Sequence, residues 1–95
     1  MSRARFIVRG FVQGVNYRAT AVHEARRLAL TGRVWNRDDG GVGVLAEGDD
    51  AALDAFERWL WRGPRAAEVS AVERAKVSGD ARYDSFDVSW RPAPD

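Results

Sequence analysis

Two side chains in this sequence have the type and setting to work on an oxyanion. Arg18 closes the segment GFVQGVNYR, residues 10–18, which follows the strand-like run RFIVRG and precedes the helix-like run ATAVHEARRLA. A loop between a strand end and a helix start presents backbone N–H groups that no helical carbonyl accepts, and the helix dipole adds partial positive charge there. Gly14 can take positive φ, which lets successive N–H groups converge on an anion. Arg18, in the first helical turn, can set a planar guanidinium across two phosphate oxygens. Asn36 is the second candidate. It ends a strand-like run, shares the alternation face of Val34, and carries an amide that can orient a water. The residues alone leave the bland readings open: a plain strand-to-helix turn at 10–18, and a turn-forming Asn at 36.

Other chemistries are excluded or bland. There is no cysteine, so disulfides, thiolate zinc sites and a Cys nucleophile are absent. The loop lacks the Gly-Lys-Ser/Thr ending of a Walker loop and the G-x-G-x-x-G of a dinucleotide site. If phosphate chemistry occurs here, water must be the nucleophile. His23, the one histidine, falls nearly two turns from the loop and reads as a surface or boundary residue. Asp38 and Asp39 read as turn residues. Trp59 reads as core and Trp61 as rim. Trp35 and Trp90 could be contacts for a ligand or merely lie on an exposed sheet face.

The chain of 95 residues is sized for one domain, taken as 1–95 with a core at about 5–90. Hydrophobic residues make up 45% and charged residues 31%, the balance of a soluble globule. A net charge of +1 argues for neither nucleic acid nor an anionic membrane. The charge is uneven: residues 1–48 hold eight Arg against four acids, and residues 49–95 hold seven bases against ten acids. The candidate loop thus sits in the basic half. No apolar run approaches 18 residues and no signal-peptide core is present, so a cytoplasmic protein is expected.

Periodicity predicts the frame that must position these residues. Strands are expected at 5–11, 31–36, 42–47, 68–77 and 86–90, with helices at 16–29 and from Asp49 or Asp50 to Gly63-Pro64. Ala21, Val22, Ala25, Leu28 and Ala29 share one face of the first helix; Ala52, Leu53, Phe56, Trp59 and Leu60 share one face of the second. Asp39-Gly40 predicts a hairpin with positive φ at both central residues. RPAPD reads as a tail. The order β-α-β-β-α-β plus a short final strand predicts an α+β, ferredoxin-like α/β sandwich, an antiparallel sheet with two helices on one face. An RNA-binding domain on the same frame would need aromatics on its central strands, and VGVLAE has none.

VRGFVQGVNYR, EARRL, LTGRVWNRDDGGV, AEG, WL and GP, in this order over about 5–90, resemble the acylphosphatase family. The specific parts are G-x-V-Q-G-V-x-[FY]-R and G-x-V-x-N-x-x-x-G. The resemblance implies the ferredoxin-like fold and hydrolysis of small acyl phosphates to carboxylate and phosphate, by a monomer without metal, cofactor, nucleic-acid partner or membrane. It implies that Arg18 binds the phosphate, that the loop of Gln13, Gly14, Val15, Asn16, Tyr17 and Arg18 wraps it with amides, and that Asn36 positions the attacking water. A carboxylate leaving group departs without a proton, so no general acid is required, and ordinary phosphate monoesters should be poor substrates. The sequence departs from the family pattern at Tyr17, usually Phe; at Ala29, where Gly is common; and at Arg33, Trp35 and Arg37. The alternative is a non-catalytic or carbamoyl-phosphate-specific domain of the same type.

Overall fold

The computed structural model describes residues 1–90; the expected tail at 91–95 lies outside them. The elements run β1 (Ser2–Phe11), α1 (Tyr17–Arg27), β2 (Thr31–Asn36), β3 (Val42–Gly48), α2 (Asp50–Arg62), β4 (Glu68–Lys76) and β5 (Phe86–Val88). All five strands join one sheet in the order β4-β1-β3-β2-β5.

Alternation divides the sheet into two faces. Ala4, Phe6 and Val8 of β1, Val34 of β2 and Val42, Val44 and Ala46 of β3 form one core with Tyr17, Ala21 and Ala25 of α1 and Leu53, Phe56, Trp59 and Leu60 of α2. Both helices therefore cover the same face, as their common apolar phase predicts. The Phe56 ring meets Phe6 and Phe86 edge-on at centroid distances of 6.1 and 5.8 Å. Burying each such ring stabilises the fold by roughly 1.5–3 kcal/mol.

The first four strands pair antiparallel with one another. The last is not: β5 pairs parallel with β2, so the sheet is mixed rather than wholly antiparallel. The chain leaves β4 at one edge, crosses through 77–85 and enters the opposite edge running the same way as β2. Local patterning marks a strand but not its direction; that is fixed by Gly32 N donating to Ser85 O (3.0 Å) and Ser89 N to Val34 O (2.8 Å).

A buried ion pair holds this crossing. On the face away from the helices, Arg3 Nε donates to Glu47 Oε2 at 2.8 Å, both side chains being almost wholly buried. The same carboxylate accepts from Thr31 Oγ1 (3.1 Å) and from the backbone amides of Arg82 (2.8 Å) and Tyr83 (3.0 Å). Burial by itself would raise the Glu47 pKa, but these donors hold it below the ordinary carboxylate value.

Several boundaries differ from the pattern-based expectation. β1 begins three residues earlier, at Ser2, and α1 ends at Arg27. Leu28 still packs on the core, but Ala29 is exposed at φ 60. Leu30 N donates to Ala25 O and Ala29 N to Arg26 O, a Schellman stop made with an alanine in the left-handed position. In the β2–β3 turn only Gly40 has positive φ, at 90°; Asp39 does not. Gly40 N bonds to Arg37 O and Arg37 N to Gly41 O, so the connection is a longer turn with a glycine bulge.

Candidate active site

β1 ends in a bulge between Arg9 and Gly10. Gly10 sits at φ 125, where a side chain would stand 2.2 Å from Glu68 O, so only glycine lets β1 turn out of the sheet here. The chain then passes through Gly14 (φ 76) and Asn16 (φ 66) into α1. Left-handed residues in a loop of this kind let backbone amides converge on an anion. The first helical bond is from Thr20 N to Asn16 O at 3.2 Å, so the amides of residues 17–19 precede the ladder. Asn16 occupies the N-cap yet makes no capping bond with its side chain.

These groups open on a pocket of about 340 Å³. Gly14, Asn16, Tyr17, Arg18 and Ala19 form one wall, Asn36 another, and Val12, Val88 and Trp90 an apolar rim. Arg18 lies with its guanidinium over the Trp90 ring. Asn36 projects from the last position of β2 on the helix-facing side, and its Oδ1 is buried with no hydrogen-bond partner. A buried carbonyl oxygen left unpaired costs roughly 1–3 kcal/mol, and a bound O–H donor removes that cost.

Of the residues expected in the loop, Gly14, Asn16, Tyr17 and Arg18 line the pocket, and Gln13 and Val15 do not. Val15 packs against the core. The Gln13 carboxamide turns to the β2–β3 turn, donating to Arg37 O and Gly41 O. Tyr17 is buried against Trp59, with centroids 5.5 Å apart, and its hydroxyl donates to Leu60 O at 2.6 Å. Burial pushes its phenol pKa up, so the group stays a donor. The hydroxyl that departs from the family pattern thus ties the start of α1 to the end of α2.

Arg37 is held by Asp39, and Arg33 bonds Gly32 O and Ser85 O; neither lines the pocket. The Asp39 carboxylate lies well below its usual range, held by Arg37, the Gly41 amide and Arg9, which makes it the clasp of the turn. His23 is exposed on α1, away from the pocket. Trp35 is buried over Gly43. Sequence patterning missed Val12 and Val88 as pocket walls; only their long-range neighbours place them there. Among the described residues no group of three or more His, Asp or Glu is placed to hold a metal ion.

Comparison with known proteins places the chain in a family. The acylphosphatase family model matches residues 4–88. An acylphosphatase of Xanthomonas euvesicatoria pv. vesicatoria is 55% identical over 74 residues, spanning 78% of this chain and 84% of that protein. The crystal structure of acylphosphatase from Bacillus subtilis superposes with a TM-score of 0.91 at 34% identity, covering 95% of this chain and all of that one. Full-length HypF, crystallised in a phosphate- and nucleotide-bound form, superposes with a TM-score of 0.83 at 26% identity; the match covers 94% of this chain and 12% of HypF. With the family model matched along nearly the whole described length and these relatives beside it, this chain belongs to the acylphosphatase family.

Proposed function

We propose that the pocket between the 12–16 loop, α1 and Asn36 is the active site, and that it hydrolyses acyl phosphates without a metal. The observation that carries this reading is the buried, unpartnered Oδ1 of Asn36 in the same pocket as Arg18 and the uncapped start of α1.

The substrate phosphate sits against the loop amides of residues 13–18, with Arg18 donating to its non-bridging oxygens. A water donates one O–H to Asn36 Oδ1 and faces phosphorus. Its oxygen forms the new P–O bond while the bond from phosphorus to the carboxyl oxygen breaks. The carboxylate leaves with the bonding pair, and the proton lost by the water passes to a phosphate oxygen. No general acid is needed, because the leaving group is the anion of an acid with a pKa of about 4. Catalysis then consists of placement and fixed charge, supplied by Asn36, Arg18 and the amides.

The whole chain acts as one domain and as a monomer, in the cytoplasm. No helix among the described residues is long and apolar enough to cross a membrane.

Phosphate release from benzoyl phosphate, acetyl phosphate and carbamoyl phosphate, with chelator present, tests the reading. Asn36→Ala should lower kcat by at least ~100-fold and remain folded. Undiminished release by Asn36→Ala would refute the assignment, and release from carbamoyl phosphate alone would establish the narrower specificity.

A further inference from the structure

The two working groups of the site belong to different parts of the chain. Arg18 and the amides come from the loop and α1, whereas Asn36 stands immediately before the β2–β3 turn. Gln13 spans the gap. Its Nε2 donates to Arg37 O and to Gly41 O, each at 2.8 Å, committing both amide hydrogens to the turn. Those acceptors are closed on one another by Arg37 N donating to Gly41 O at 2.9 Å. They flank the pair Asn36 and Val42, the last rung of the β2–β3 ladder. Asp39 clasps the same turn by accepting from Gly41 N and from Arg37. The turn is thus a closed unit, and Gln13 fastens it to the loop that holds the anion. The Gln13 side chain is committed to the turn and does not line the pocket, so the carboxamide is not itself a substrate contact.

We infer that Gln13 is a positioning residue whose carboxamide sets the spacing between the phosphate cradle and the water held by Asn36. The inference rests on the active-site assignment above. In a reaction where the nucleophile is placed rather than activated, a misplacement of about 1 Å costs roughly 100-fold in rate. Ground-state binding of phosphate needs the loop and Arg18 but not Asn36. Loss of the Gln13 clip therefore acts on kcat and spares phosphate affinity.

The test uses Gln13→Met, which keeps the side-chain volume and removes both donors, and Gln13→Asn, which keeps the amide but cannot reach both carbonyls. Benzoyl phosphate turnover and inhibition by inorganic phosphate are measured for each. Gln13→Met should lower kcat by about 10- to 100-fold with the phosphate inhibition constant within about 3-fold of wild type. Gln13→Asn should fall between the two, and it supplies the same readout if Gln13→Met does not fold. In an Asn36→Ala background, Gln13→Met should cost almost nothing further, because no placed water remains to be misaligned.

An unchanged kcat in folded Gln13→Met overturns the inference. So does a parallel loss of phosphate affinity, which would mean that the loop itself had collapsed, or an undiminished further loss in the Asn36→Ala background. If Asn36→Ala alone keeps full activity, it is the active-site assignment that fails.

Discussion

The guanidinium carbon of Arg18 lies 4.7 Å from the centroid of the Trp90 ring. Trp90 is 81% exposed, so the contact forms at the pocket mouth and one ring face stays open to solvent. A cation over a ring face spends none of its N–H groups there, and all five remain for an anion. At an exposed site the contact contributes about 0.5–1 kcal/mol. Trp90→Ala should therefore weaken inhibition by inorganic phosphate roughly 2- to 5-fold with little change in kcat, and Trp90→Phe should restore part of it. An unchanged inhibition constant in Trp90→Ala would show that the stacking does not orient Arg18.

Phosphate binding should be visible as stability. A ligand that binds only the folded state at 100 times its Kd adds about 2.7 kcal/mol, so the wild-type Tm should climb with phosphate concentration. Arg18→Ala should lose most of that rise. Arg18→Lys should keep a small part of it while losing most activity, since an ammonium lacks the planar fork. Equal phosphate-dependent shifts in all three proteins would contradict a binding role for Arg18.

The Schellman stop after α1 predicts a gain. Ala29 holds φ 60, a conformation that costs a residue with a Cβ roughly 1–2 kcal/mol relative to glycine. Glycine gives back part of this through its freer unfolded chain. The expected outcome for Ala29→Gly is a net stabilisation of about 0.5–1 kcal/mol, or a Tm several degrees higher, with activity unchanged. A calorimetric scan that shows a lower Tm would refute it.

Glu47 predicts the acid limb of stability. Its folded pKa is depressed by the Arg82 and Tyr83 amides, Arg3 and Thr31, which outweigh the opposing effect of burial. A depressed carboxylate stabilises the fold above its unfolded value of about 4.3 and loses that contribution as pH falls through the folded value. Denaturant midpoints should therefore fall below about pH 4 more steeply in wild type than in Glu47→Gln. Glu47→Ala, which removes the carboxylate that Arg3, Thr31 and the Arg82 and Tyr83 amides donate to, should cost about 3–5 kcal/mol near neutral pH. Identical acid limbs in wild type and Glu47→Gln would place the titration elsewhere.

The order of strands and helices, the common apolar face of α1 and α2, and the pairing of an arginine at a helix start with an asparagine at a strand end were legible in the sequence. Each is a local signal: period 2, period 3.6, a glycine or a cap. The parts that could not be read all join residues distant along the chain. Arg3 and Glu47 look like solvated charges on alternating strands until β1 and β3 pair and the 77–85 crossing buries them. Gln13 looks like one more loop residue until the β2–β3 turn comes within reach. Trp90 looks like an exposed aromatic until β5 runs parallel to β2 and carries it to Arg18.

The sequence by itself therefore marked Arg18 and Asn36 as candidates through residue type and local period, and its resemblance to acylphosphatases supplied the roles expected of them. The tertiary structure alone decided how they meet: the direction of β5, the turn fastened by Gln13, the unpaired Asn36 oxygen and the buried ion pair beneath the crossing. Those are set by hydrogen bonds and burial between segments far apart in the chain, where loop closure and packing, not local propensity, select the partner.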